Sequence, residues 1–320
     1  MQKMKRILGL LLILSFGSLT SAPDTDLTYL FAHGLYADSK LAQYYANISS
    51  IVSHIENDLL HGRCTSGYTH SWRLVHPEDT GFWIIQQPLH SFNFPDASRG
   101  FDGHQTSLAQ ENEIKTLANE YEKIKHQRVI LVGMSRGASA ILNFLGTHAA
   151  NSVVAAVVES PFDSILDTLN RLCEIAGASW VPSIIRNSSP GLFFGKFDPR
   201  GIFPIKVAHN INKELPLLII ASLEDTLIPA ANSASIYFKL REHGHEHVHF
   251  LLLDKGIHAY LLEHDDAHLY LNTVHAFYKK YNLPYSRTFA AQGDAILAQC
   301  QPSKKIVDEA LKNKKSFITR

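Results

Sequence analysis

Three residues far apart in the chain, Ser135, Asp225 and His258, have side chains that together could turn a hydroxyl into a nucleophile. A serine hydroxyl attacks poorly until a base takes its proton, and an imidazole base needs a carboxylate to fix its tautomer and stabilise the imidazolium. Glu224, next to Asp225, and Asp163, in an earlier segment, are alternative carboxylates for that task. The chemistry such a set supports is attack on a carbonyl carbon, with backbone N–H groups holding the oxyanion that forms.

Each of the three lies just behind an aliphatic run. Residues 129–132 (Val-Ile-Leu-Val) read as a strand buried on both faces, residues 138–150 read as a helix, and Gly133-Met-Ser135-Arg-Gly137 is the sharp turn between them. Glycines at 133 and 137 let strand and helix approach closely while the serine is held in a strained conformation with its hydroxyl exposed. The strand at 216–222 runs into Leu223-Glu-Asp225-Thr-Leu-Ile-Pro229, and the strand Val248–Leu253 runs into Asp254-Lys-Gly-Ile-His258. Further strands are expected at Leu27–Ala32, which ends in His33-Gly34-Leu35-Tyr36, at 82–86 and at 153–158; helices are expected at 41–60, 107–126, Ala230–Glu242 and 264–281. Strand and helix alternate, so the expected fold is α/β, a mainly parallel sheet flanked by helices on both faces. In such a sheet active groups collect at the carboxyl ends of the strands, where all three residues fall.

The strand-turn-helix around Ser135, the Asp225 loop ending in Ile228-Pro229, the Gly256-Ile-His258 loop and the His33-Gly34 turn together resemble the α/β-hydrolase superfamily, over about residues 27 to 282. The chain departs from the family in two places: Ser222 stands where the family commonly has glycine, and little room is left for the early antiparallel strands of larger members. The resemblance implies a catalytic triad of Ser135, His258 and Asp225 on a nucleophile elbow. It also implies an oxyanion hole made by the backbone amides of Arg136 and Leu35, with Gly34 letting the turn come close. The expected activity is that of a serine hydrolase needing no cofactor or metal, cleaving a small ester or peptide substrate through an acyl-enzyme. The Glu159-Ser-Pro-Phe162 loop and an insertion at about 160–213 look most like esterases and serine-aminopeptidase-type hydrolases with a cap. A catalytically silent member serving as a binding protein is the reading from another class.

Thirty basic residues balance thirty acidic ones, which argues against a nucleic-acid or anionic-membrane partner. Lys3, Lys5 and Arg6 precede the apolar run 7–16 and the small residues Ser18, Thr20, Ser21 and Ala22, the pattern of a secretory signal. Residues 1–22 are therefore expected to direct export to the periplasm or medium, with no stable membrane insertion after cleavage; retention as an anchor is the alternative. The hydrolase domain is expected at 23–282, followed by an extension at 283–320 whose last residues, from 303 on, are rich in Lys and Arg. Cys64, Cys173 and Cys300 allow one internal disulfide at most, with three possible pairings. His243, His245, His247 and His249 alternate within seven residues, but without a partner carboxylate motif they read as a strand start rather than a metal site. Asn47 and Asn187 head triplets of the glycosylation type. The aromatics Trp180, Phe193, Phe194 and Phe197 either line a substrate pocket or anchor the insertion.

Overall fold

The computed structural model describes residues 26–34, 89–92, 94, 107–164, 198, 200–264, 266–303, 306 and 308. Six parallel strands are described: β1 (Leu27–Ala32), β2 (Leu89–Ser91), β3 (Arg128–Met134), β4 (Val153–Glu159), β5 (Leu217–Ser222) and β6 (Val248–Leu253). Their order in the sheet is β2-β1-β3-β4-β5-β6. Every residue of β1 and β5 is buried, as sheets covered on both faces require, and this is why these strands read as unbroken apolar runs rather than alternating ones.

Two layers of helix provide the cover. On one face α1 (Glu111–Ile124), α2 (Arg136–Leu145) and α4 (Ala230–Glu242) pack with Leu30, Leu131, Val158, Ile219 and Phe250. On the other, α5 (Ala267–Lys280) and α6 (Arg287–Gln299) pack with Tyr29, Ile130, Val157, Ile220 and Leu251. A single turn, α3 (Pro204–Val207), lies against α2. In α1 the stripe Ile114, Leu117 and Tyr121 is buried at helical spacing, with Glu111 and Glu113 in the first turn and Lys123 in the last, complementing the helix dipole. At the opposite end of the chain, α6 meets α5 so closely that a Cβ at Gly293 would overlap the Asn272 carbonyl, and Leu283 and Leu297 are part of the core.

Several boundaries differ from the sequence reading. The strand expected at 82–86 lies outside the described residues, and the strand that pairs with β1 is Leu89–Ser91. Helix α1 begins at Glu111 rather than 107, because Leu108 and Ala109 have φ of 53° and 72° and Ser107 turns its hydroxyl to the Asn112 amide. Helix α2 stops at Leu145 rather than 150. Gly146 closes the helix there, packed against Val207, and Thr147 bonds back to Asn143 O.

The strand order has one reversal. From β1 the chain moves outward to β2 and then returns to the far side of β1 to form β3. The crevice of a parallel sheet opens at such a switch point, here between the carboxyl ends of β1 and β3, where His33-Gly34 and Ser135 stand.

Candidate active site

Ser135 sits between β3 and α2 with φ 52° and ψ −119°, a backbone conformation a non-glycine residue holds only when its surroundings enforce it. The enforcement is visible on three sides. The Ser135 amide donates to Glu159 O at the end of β4. A Cβ at Gly133 would lie 2.7 Å from Ile141 Cδ1 and 2.9 Å from the Gly137 carbonyl carbon, so β3 and α2 need glycine there. A Cβ at Gly137 would overlap the Ala32 carbonyl. That glycine therefore admits β1, not the helix's own strand.

Asp225 and His258 stand in the loops that follow β5 and β6. β5 and β6 are in register from Leu217↔Val248 to Ser222↔Leu253, so the loops bearing Asp225 and His258 leave the sheet at one level. Asp225 Oδ1 accepts from the amides of Leu227 (3.1 Å) and Ile228 (2.8 Å), which leaves Oδ2 for His258 Nδ1 at 2.7 Å. A carboxylate only accepts, so Nδ1 carries the proton, and Nε2, 2.9 Å from Ser135 Oγ, is free to accept the serine's. The Asp225 side chain is fully buried and that of His258 is 15% exposed, so the pair is shielded while the imidazole edge stays reachable.

The His258 loop is held from outside. Glu224 accepts from Lys255 Nζ (2.7 Å) and the Gly256 amide (3.1 Å), Asp266 accepts from the Lys255 amide, and His264 Nε2 accepts from the Ile257 amide. Gly256 has φ 121°, where a side chain would be strained, and Ala259 has φ 70°. Both His258 ring nitrogens are occupied by Ser135 and Asp225, so neither Glu224 nor the buried Asp163 is the partner of Nδ1. The Lys255 ammonium and the Gly256 amide hold the Glu224 carboxyl below its usual range, consistent with a charged loop anchor.

Of the two implied oxyanion donors, the Arg136 amide lies at the first turn of α2, beside Ser135. Leu35 lies outside the described residues. Gly34 is described and close: a Cβ there would sit 3.4 Å from Ser135 Cβ. The signal segment, Cys64, Cys173, Asn47, Asn187 and the aromatics at 180–197 also lie outside the described residues.

No protein-family model matches the chain, and no curated protein matches it. Solved structures do. An esterase of Pyrococcus furiosus is 17% identical in one crystal form, with 80% of this chain and 83% of that one covered and a TM-score of 0.53. A second crystal form of it gives the same identity and coverage with a TM-score of 0.50. The chain has the α/β-hydrolase fold. At these identities the likeness concerns the fold.

Within that fold the structure shows groups that the sequence reading passed over. Arg136 is buried along its whole side chain and pairs with the equally buried Glu113, Nη1 to Oε1 at 3.4 Å. Glu113 also accepts from the amide and hydroxyl of Ser107. A charged residue at the start of an otherwise apolar helix, and a glutamate next to the apolar stripe of α1, were the available signals. Glu159, at the end of β4, accepts from Tyr270 OH at 3.0 Å. The alternating histidines leading into β6 diverge: His245 is buried, His247 faces Glu214 at 3.4 Å, and His249, within β6, pairs with Tyr281 OH at 2.8 Å. Among the described residues no group of three or more His, Cys, Asp or Glu is placed to hold a metal ion, and no helix is long and apolar enough to cross a membrane.

Proposed function

We propose that the protein is a serine hydrolase that cleaves a carboxylic ester or amide through an acyl-enzyme on Ser135. The observation that carries this reading is the continuous chain from Ser135 Oγ to His258 Nε2 (2.9 Å) and from His258 Nδ1 to Asp225 Oδ2 (2.7 Å). As Ser135 Oγ bonds to the substrate carbonyl carbon, His258 Nε2 takes its proton and Asp225 stabilises the imidazolium. Collapse of the tetrahedral adduct breaks the bond to the leaving group, which receives that proton. Water then attacks the acyl-enzyme by the same route, and Ser135 is regenerated.

The Arg136 amide supports the oxyanion role, since it follows the nucleophile at the N-terminus of α2, where the helix dipole favours negative charge. Leu35 supplies the second amide in this reading. Leu223 and Tyr260 are the two large apolar side chains that stand exposed among the described residues, and they lie on the loops of Asp225 and His258. Their place favours a substrate with an apolar group beside the scissile bond. Residues 1–22 are assigned to export on their sequence pattern.

The test is rapid-mixing hydrolysis of p-nitrophenyl esters of graded acyl length. A burst of nitrophenol matching the enzyme concentration, with the acyl mass on the Ser135 peptide, is expected. Hydrolysis that leaves Ser135 unmodified at every chain length would overturn the reading. Matched p-nitroanilides decide between ester and amide.

A further inference from the structure

Resting on the function proposed above, we infer that the first turn of α5 is a bridge between the base and the nucleophile, with Asp266 and Tyr270 as positioning residues that set the reach of His258 to Ser135. The need for a bridge follows from the sheet. The order β3-β4-β5-β6 puts the strand before Ser135 and the strand before His258 three spacings apart, about 14 Å. The loop 254–258 must therefore reach back over two strands to bring Nε2 within 2.9 Å of Ser135 Oγ. Asp225 orients the ring through Nδ1, yet it too stands on a loop, the one behind β5.

The near end of the bridge is at the loop. Three consecutive amides ahead of His258 each donate to a side chain: Lys255 to Asp266 Oδ2 at 2.9 Å, Gly256 to Glu224 Oε2 at 3.1 Å, and Ile257 to His264 Nε2 at 3.4 Å. Two of the three acceptors belong to the short segment that leads into α5. Asp266 is the N-cap of that helix, a position where aspartate ordinarily turns its carboxylate to an amide of its own first turn. Here the side chain makes no such bond among the described residues, and Oδ2 goes to the loop instead. The helix starts from the Asp266 carbonyl, which accepts from the amides of Leu269 and Tyr270.

The far end is one turn along. Tyr270 is fully buried, and its hydroxyl donates to Glu159 Oε2 at 3.0 Å. Glu159 is the last residue of β4, in register with Met134, and its carbonyl accepts from the Ser135 amide at 2.8 Å. One residue of β4 therefore holds the nucleophile by its main chain and α5 by its side chain. Residues 266 and 270 are separated by a rise of about 6 Å along the helix, and the Tyr270 amide bonds to Asp266 O, so the two contacts cannot shift independently. An apolar contact would pack α5 on β4 without fixing a direction. Hydrogen bonds admit a narrow range of distance and angle, and here one stands at each end of the turn.

The experiment uses the full chain and four variants: Asp266→Ala, Asp266→Asn, Tyr270→Phe and the double variant Asp266→Ala/Tyr270→Phe. It measures kcat and KM on p-nitrophenyl butyrate, the rate at which a fluorophosphonate labels Ser135, and the unfolding midpoint. Asp266→Ala and Tyr270→Phe should each lower kcat about 10- to 100-fold with KM within about twofold, because a displaced base slows the chemistry and leaves substrate binding alone. The labelling rate should fall in parallel. Asparagine keeps an oxygen acceptor for the Lys255 amide, so Asp266→Asn should recover most of what Asp266→Ala loses. The double variant should be little slower than the slower single one, since a bridge cut at either end no longer spans. Folded Asp266→Ala and Tyr270→Phe with wild-type kcat and labelling rate would overturn the inference and leave the proposed function intact, as would losses that multiply in the double variant or Asp266→Asn no faster than Asp266→Ala. If Tyr270→Phe fails to fold, the two Asp266 variants decide alone. A wild-type protein that neither hydrolyses the ester nor is labelled at Ser135 would overturn both.

Discussion

At the scale of single residues, the distinction between Asp225 and its neighbour Glu224 is the sharpest result. The adjacent carboxylates have different partners: Asp225 faces His258 from a fully buried position and Glu224 faces Lys255 near the surface. Asp225→Asn should lower kcat about 10³- to 10⁴-fold, since the amide would favour the wrong imidazole tautomer. Glu224→Gln should cost less than about tenfold, because exposed ion pairs are worth about 0–1 kcal/mol and the amide oxygen still accepts from Gly256. Steady-state kinetics on one ester decides the ranking; equal losses would show that the loop anchor and the orienting acid are not separable. Glu224 titrates below the usual carboxylate range, so its tie to the His258 loop is present above that range and is lost as pH falls through the lowered value.

At the scale of elements, the sequence was most legible where burial is complete. The spans Ala230–Glu242 and Val248–Leu253 coincide with α4 and β6, and the strands at β1, β4 and β5 agree to within a residue. Apolar runs with clear punctuation carry their own boundaries. Position along the chain also announced Ser135, Asp225 and His258, because each follows a strand. The unread features depend on tertiary contact: the start of α1 is set by a buried Ser107–Glu113 contact, and the Arg136 side chain meets three segments distant in sequence, those of Gly34, Phe94 and Glu113. A histidine-rich strand start likewise hides a stability effect. Burial, with the nearby cations, lowers the pKa of both His245 and His249 to about 4, against an ordinary 6.5. Between those values the unfolded chain binds protons that the native state refuses, so stability is full above about pH 6.5 and falls as pH drops towards 4. Each histidine should cost on the order of 1–2 kcal/mol between pH 7 and pH 5, read as a fall in the urea midpoint. His249→Gln, which can keep a hydrogen bond to Tyr281, should flatten that slope; an unchanged slope would remove His249 from the account.

At the scale of the whole molecule, the topology explains why the site is where it is. The sheet reverses between β1 and β3, and the groups gathered there come from the carboxyl ends of β1, β3, β5 and β6. Two helical layers cover the two faces of the sheet. Export, proposed from residues 1–22, predicts that protein recovered from its host starts near Pro23; N-terminal sequencing that finds Met1 would contradict it. The central claim is narrower and can be tested in one tube. The protein is treated with a fluorophosphonate, digested, and the phosphonylated peptide mapped by mass spectrometry. The account predicts modification at Ser135, slowed by orders of magnitude in His258→Ala and absent in a folded Ser135→Ala variant. Labelling at another residue, or labelling that survives Ser135→Ala, would contradict it.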